Sequence, residues 1–236
     1  MSNSLSSLDR DGFQLCRAAV AHAPMGEWLR AASRRMESAP AGQVTKHGEP
    51  YAMRAIVAQC PYIAACIRET ILPRLIRPIL GKSAKLVRSL LLDKTPENNW
   101  GVPWHRDLTI AVRQKLNVPE FSNWQEKEEC WHVEPPYELL KEMVTIRVHL
   151  DDCLAPDGPL SVVPGSHHWP AMTWKELVVR ASESPSIKCH AQRGDALLMR
   201  PLLAHSSHQA LQPSHRRVLH LEFAAQKLPG GLEWCD

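Results

Sequence analysis

The segment PWHRDL contains a histidine and an aspartate, His105 and Asp107, two positions apart on a stretch predicted to be extended. In a strand, residues i and i+2 point to the same side, so the imidazole and the carboxylate would emerge together. Both groups bind metals, but in a chain with twelve histidines a His-x-Asp pair is also typical of a surface pair or a hydrogen-bonded couple. The motif therefore predicts half of a metal site and needs a third ligand.

His205 is the candidate for that third ligand, because it ends an apolar run in RGDALLMRPLLAHSSHQALQPSHRRVLHLEF. Two imidazoles and one carboxylate leave three metal positions open, as in non-haem Fe(II) oxygenases. A 2-oxo acid could occupy two of them and dioxygen the third, provided that a cation binds the far carboxylate of the acid. Arginine is suited to this because its planar guanidinium donates paired hydrogen bonds and stays charged when buried. A core histidine with satisfied hydrogen bonds, or one of the nearby histidines as ligand, remains an alternative.

The elements that position these residues change along the chain. Residues 1–84 are predicted to be mainly helical, because GEWLRAASRRMES has helix formers with basic residues near its end and YIAACIRETILPRLIRPIL has apolar positions at helical spacing. From Lys85 onward, short apolar or alternating runs between Pro, Gly, Asn and Asp predict a sandwich or barrel. The segment of about residues 112–142 is long, polar and rich in Trp and Pro, which predicts an ordered lid. The chain is interpreted as one domain, 1–236, with a helical N-terminal layer and a β core over 85–225.

Four segments, WHRD, DGPLSVVPGSHHW, RGDALLMRPLLAHSS and HRRVLHLEF, resemble the phytanoyl-CoA dioxygenase (PhyH) family of Fe(II)- and 2-oxoglutarate-dependent oxygenases. The resemblance covers roughly residues 85–225, with a weaker match at LDRDGFQLC. It implies a mainly β fold with helices, the cupin-like double-stranded β-helix or jelly roll, in agreement with the strand-rich second half. It also implies Fe(II), 2-oxoglutarate as cosubstrate, and dioxygen.

The resemblance implies that His105, Asp107 and His205 bind the metal and form the catalytic centre. The expected reaction is hydroxylation of a small-molecule substrate, coupled to oxidative decarboxylation of 2-oxoglutarate to succinate. Relatives that halogenate have a small residue in place of the carboxylate, so Asp107 favours hydroxylation.

Arg216, eleven residues after His205, stands where the family has the residue that binds the 2-oxoglutarate carboxylate. Ser207 stands where the family often has a hydroxyl near the same carboxylate. Arg217 is the competing arginine, but strand alternation places it on the face of apolar residues that would pack on the sheet. An ordinary surface ion pair is the alternative for Arg216.

Arg147 is a candidate substrate-binding residue, because MVTIRVHLDD alternates apolar residues with a polar set that includes it. In a closed barrel the polar face would line the pocket. Many relatives have an aromatic residue at this position. Arg147 is therefore predicted to contact an acidic substrate or 2-oxoglutarate, and a charge at the barrel rim is the open alternative.

The composition favours an ordinary globular protein, with 44% hydrophobic residues, 22% charged residues and a formal charge of +3. Nucleic acid is therefore not an expected partner. Neither a signal peptide nor a membrane span is predicted, because no basic N-terminal segment precedes an apolar run and no stretch of about 18 apolar residues occurs. The seven cysteines form no C-x-x-C pair, which predicts reduced thiols and a cytoplasmic location.

Two other functions remain open at this point. The same ligands suit a zinc-type cupin-like enzyme, and a jelly roll could also serve as a non-catalytic binding module. The sequence predicts neither the identity of the substrate nor the oligomeric state.

Overall fold

The computed structural model describes residues 3–38, 43–46, 49–127 and 130–235. Within these ranges the helices are α1 (Asn3–Asp11), α2 (His22–Ser38), α3 (Ile56–Gln59), α4 (Pro61–Cys66), α5 (Arg77–Leu80), α6 (Tyr137–Lys141) and α7 (Trp174–Glu183), with a π-helical segment (Ile67–Ile76) between α4 and α5. The strands are β1 (Phe13–Cys16), β2 (Gln43–Lys46), β3 (Glu49–Arg54), β4 (Lys85–Lys94), β5 (Val102–His105), β6 (Ile110–Val112), β7 (Ser122–Lys127), β8 (Cys130–Glu134), β9 (Val144–His149), β10 (Leu160–Val162), β11 (Ile187–Cys189), β12 (Ala196–Met199), β13 (His205–Ser207) and β14 (Arg216–Ala224).

The largest sheet has seven antiparallel strands in the order β1-β12-β9-β14-β4-β3-β2. Its apolar face packs against the N-terminal helices, where Trp28 and Ile63 join Ile146 and Leu221 in one buried cluster. The alternation within β9 and β14 decides which side chains enter this core. The opposite face of the same strands is rich in polar residues.

The N-terminal region contains strands as well as helices. β1 pairs with β12 at one edge of the large sheet, and β3 pairs with β4 near the other edge. The prediction did not include these strands, because they are four to six residues long and their pairing depends on tertiary contacts.

The second sheet has four strands in the order β11-β10-β13-β5. The turn before β10 depends on Gly158, whose φ is +65° and where an added Cβ would lie 2.4 Å from the carbonyl oxygen of His208. Only glycine fits a position with both constraints. Residues from both sheets line a single cavity of about 190 Å³.

The lid segment forms a separate three-stranded sheet, β6-β8-β7. Phe121 and Val133 are buried, and Trp124 and Trp131 are partly buried against the same cluster. Residues 112–127 and 130–142 of the segment are therefore ordered, and its function as a lid stays a prediction.

The prediction that all thiols are reduced is wrong for Cys130 and Cys235, which form a disulfide between β8 and the C-terminal segment. The two residues are 105 positions apart, so their spacing gives no signal in the sequence. They meet because Val112 pairs with both Trp131 and Trp234. Among the described residues, no helix is long and apolar enough to cross a membrane.

Candidate active site

The structure brings His105, Asp107 and His205 together at one end of two paired strands. β5 and β13 are antiparallel, and their register places His105 directly opposite His205. Asp107 lies just beyond β5, where its backbone N–H donates to the carbonyl of Pro201 at 2.9 Å. The Asp107 Oδ1 atom is 4.0 Å from Nε2 of His105 and 3.9 Å from Nε2 of His205. In the described part of the chain, these three residues form the one group of metal-ligating side chains close enough to share an ion.

Both histidines are oriented by backbone carbonyls. The Nδ1 atom of His105 lies 2.8 Å from the carbonyl oxygen of Pro103, and that of His205 lies 2.9 Å from that of Leu203. A hydrogen on Nδ1 satisfies these carbonyls and leaves the Nε2 lone pair free for a metal. Burial, together with the neighbouring His105 ring, lowers the pKa of His205 to about 3, so the His205 ring is neutral. Neutral imidazole is the form that binds metals.

The carboxylate of Asp107 is ionised. Burial works to raise its pKa, but the favourable electrostatic interactions with His205, His220 and His105 hold the pKa well below its usual range. Its Oδ2 atom is buried and has no hydrogen-bond partner. Two imidazoles with free Nε2 atoms and one ionised carboxylate with an unsatisfied oxygen fit a divalent ion.

A basic group lies at the other end of the cavity. Arg216 and Lys94 are directly opposite each other on β14 and β4, and both are buried. Arg216 donates to the carbonyl of Gly158, and its Nε has no hydrogen-bond partner. The Lys94 ammonium lies 3.3 Å from the Ser207 hydroxyl oxygen and donates to the carbonyl of His208 at 2.8 Å. No carboxylate among the described residues forms an ion pair with either cation.

Lys94 is a site residue that the sequence interpretation missed. In KLVRSLLLDK, alternation places Lys94 on the same face as Arg88, and this signal could have identified both. Burial, together with the charges of Arg216 and Arg147, lowers the pKa of Lys94 to about 7.

Arg217 points away from the cavity. Its guanidinium forms two hydrogen bonds of 2.8 Å with the carboxylate of Asp151 and one of 3.0 Å with the hydroxyl of Ser33 in α2. Arg216 and Arg217 therefore lie on opposite faces of β14.

Arg147 lines the cavity between its two ends and belongs to a buried polar row. One guanidinium nitrogen lies 3.1 Å from Nδ1 of His220, whose Nε2 is 3.3 Å from Glu222. Arg88 completes the row by donating to the same Glu222 oxygen at 3.0 Å. Burial, with the charge of Arg216, lowers the pKa of Arg147 to about 10, so it stays charged. The sequence interpretation assigned no site role to His220, Glu222 or Arg88.

The other histidines near His205 have different partners. His215 pairs with Asp93 at 2.8 Å, and His220 belongs to the polar row. His208 is exposed. None of the three joins the group of ligands that the described residues form.

The family model described as phytanoyl-CoA dioxygenase (PhyH) matches residues 8–218 of the chain. The chain belongs to the phytanoyl-CoA dioxygenase family. No curated protein matches the chain by sequence.

Solved structures share the fold at low sequence identity. EctD from S. alaskensis in its apoform is 19% identical with a TM-score of 0.74, over 95% of this chain and 77% of EctD. The 2-oxoglutarate-dependent epimerase SnoN, from nogalamycin biosynthesis, is 15% identical with a TM-score of 0.71, over 98% of this chain and 90% of SnoN. The carbocyclase SnoK, from the same biosynthesis, is 12% identical with a TM-score of 0.72, over 94% of this chain and 83% of SnoK.

Some of these relatives have been solved with their ligands. EctD has been crystallised with iron, and also with 2-oxoglutarate and 5-hydroxyectoine. The family and these neighbours support the activity of an iron- and 2-oxoglutarate-dependent oxygenase.

Proposed function

We propose that the protein is an Fe(II)- and 2-oxoglutarate-dependent dioxygenase that hydroxylates a small molecule and converts 2-oxoglutarate to succinate. The observation that carries this proposal is the convergence of His105, Asp107 and His205 in one cavity with the buried cations Arg216 and Lys94. A zinc hydrolase or isomerase has no need of such cations, so their presence favours the oxygenase over the zinc-type enzyme.

The three ligands would hold iron through the two Nε2 atoms and the Asp107 carboxylate. Iron(II), 2-oxoglutarate and dioxygen, when bound, supply the oxidising chemistry. The carbonyls of Pro103 and Leu203 fix the imidazole rings, so both ligands are oriented before an ion binds.

Arg216 would bind the far carboxylate of 2-oxoglutarate, with Ser207 and Lys94 as its neighbours. The unpartnered Nε of Arg216 and the Lys94–Ser207 contact supply donors on one side of the cavity. Charged donors that are buried and oriented bind a carboxylate more strongly than exposed ones do.

Arg147 would contact the substrate, because it lines the cavity between the cosubstrate end and the end at Arg88. Residues 112–142 would act as the lid that shapes specificity. We also infer a single domain with the double-stranded β-helix as its core, a helical layer at the N-terminus, and a cytoplasmic location. The five free cysteines of the described residues support that location, whereas the Cys130–Cys235 disulfide is atypical of it. The two sheets that line the cavity and the packing of the N-terminal helices support the architecture.

The test is an anaerobic titration of the metal-free protein with Fe(II) and then 2-oxoglutarate, followed through the visible metal-to-ligand charge-transfer band of a chelated 2-oxo acid. We expect the band in the wild type and its loss in His105→Ala. Tight metal binding without a band would favour the zinc-type enzyme or the non-catalytic module instead.

Related folds include an epimerase and a carbocyclase, so the outcome of the oxidation needs its own measurement. Turnover under isotopically labelled dioxygen is expected to place one labelled oxygen atom in the product and one in succinate. A product without the label would replace hydroxylation by another oxidation.

A further inference from the structure

The charged side chains that line the cavity leave a net positive charge even after iron and 2-oxoglutarate are counted. Its charged lining residues are Arg88, Lys94, Arg147, Arg216, Asp107 and Glu222. Four cations against two carboxylates leave a charge of +2 when the histidines are neutral. A divalent ion adds two charges and 2-oxoglutarate removes two, so the same excess remains for the substrate to meet.

Arg88 lies at the end of the cavity farthest from the proposed cosubstrate anchor. It is six residues before Lys94 on β4 and faces the same side, which corresponds to about 20 Å along the strand. A five-carbon diacid bound at Arg216 and the metal is far shorter than this separation. Arg88 is therefore available to a second molecule.

The surroundings of Arg88 are basic. Its charge and those of Lys127 and Arg54 act on His132 of β8, and together with burial they lower the pKa of His132 to about 3. His132 is only 2% exposed, and its Nδ1 has no hydrogen-bond partner. His132 does not line the cavity itself, but the cations that act on it show that this end of the cavity favours a negatively charged ligand.

Glu222 holds Arg88 through one oxygen of its carboxylate, and the same oxygen also contacts His220. Arg88 also remains about one-fifth exposed, whereas Glu222 is 4% exposed. The guanidinium is thus held in place by a buried carboxylate while part of it stays accessible from the cavity.

We propose that the substrate is an anion, and that its carboxylate or phosphate group binds Arg88 at the end of the cavity beneath the three-stranded sheet. This inference rests on the proposed function, because it assigns the Arg216 end of the cavity to 2-oxoglutarate. Arg88 sets specificity in this arrangement, and the reacting part of the substrate lies beside the metal ligands.

The test uses the whole protein loaded with Mn(II) and N-oxalylglycine, a redox-inert analogue of 2-oxoglutarate. Inorganic phosphate and acetate are titrated by calorimetry at low ionic strength into the wild type, Arg88→Gln and the control Lys85→Gln, which removes an exposed cation from the same strand. We expect one probe to bind the wild type and Lys85→Gln equally, and Arg88→Gln roughly ten- to one-hundredfold more weakly. The tighter of the two probes indicates whether the natural group is a phosphate or a carboxylate.

Two further variants separate charge recognition from a structural role. Arg88→Lys keeps the charge and should retain most of the anion affinity. Glu222→Gln leaves Arg88 without its counterion and should strengthen anion binding, whereas mere loss of structure would weaken it.

Equal anion binding in the wild type and Arg88→Gln, or no anion binding by the wild type, would overturn the anion site while leaving the oxygenase intact. A wild type that binds no N-oxalylglycine would refute the proposed function, and this inference with it. The N-oxalylglycine affinity of Arg88→Gln should be unchanged, which separates the two ends of the cavity.

Discussion

The adjacent arginines of β14 offer a matched pair for testing the cosubstrate site. Arg216 is buried in the cavity, whereas Arg217 forms its ion pair with Asp151 on the opposite face. Truncating one partner of a buried charged contact typically costs about 2 to 5 kcal/mol, or roughly 30- to 4,000-fold in affinity. Because Lys94 stays in place opposite the truncated side chain, we expect Arg216→Ala to fall near the lower limit, at about 2 to 3 kcal/mol or roughly 30- to 150-fold.

The assay is the same anaerobic titration, with 2-oxoglutarate added to protein already loaded with Fe(II). Arg216→Ala should keep its affinity for Fe(II), because the guanidinium makes no contact with the three ligands. Arg217→Ala should bind 2-oxoglutarate like the wild type but unfold at a lower temperature, since it loses its two bonds to Asp151. If Arg217→Ala loses the affinity and Arg216→Ala keeps it, the assignment of the two faces of β14 is refuted.

Three other predictions concern Lys94, Gly158 and the disulfide. The affinity for 2-oxoglutarate should be highest below pH 7 and fall by up to about tenfold per pH unit above it, because binding a dianion favours the charged form of Lys94, whose pKa in the free protein is about 7. An affinity that does not change between pH 6 and 9 would contradict this prediction. The variant Lys94→Met should abolish the pH dependence. Gly158→Ala should lower the thermal unfolding temperature markedly or prevent folding, because the φ of Gly158 is positive and an added Cβ would meet the carbonyl of His208. An unchanged unfolding temperature would show that the turn can shift. Cys235→Ser should lower the free energy of unfolding by about 2 to 4 kcal/mol in denaturant titrations, since the bond to Cys130 closes a loop of more than one hundred residues. Adding reductant to the wild type is the matching control and should lower its free energy of unfolding by the same amount.

The sequence was most informative about the candidate metal ligands and about the two adjacent arginines of β14. A histidine and an aspartate two positions apart, followed by a distant histidine, indicated a group that the structure brings together around Asp107. Strand alternation was sufficient to favour Arg216 over Arg217, and the two side chains do lie on opposite faces. His205 differs in one detail, because it begins β13 after a turn and does not end the apolar strand before it.

The sequence was least informative where a role depends on pairing between distant segments. Alternation places Lys94 and Arg88 on one face of β4, but only the pairing of β4 with β14 places them opposite Arg216 and Glu222. The polar row has the same origin, because a histidine and a glutamate two positions apart acquire their partners from β9 and β4. The spacing of residues along one strand does not indicate which residues of a distant strand will lie beside them.

The pairing of His105 with His205 also has a consequence for how the protein folds. The two residues are one hundred positions apart in the chain and directly opposite each other on β5 and β13, so these strands must find each other across a long loop, which is a slow contact to form. An ion bound to both imidazoles ties the strands together only in the native state, and it therefore stabilises that state by mass action. Iron in the growth medium would in this way act as a folding aid, and amide hydrogen exchange in β5 and β13 should slow as the metal concentration rises.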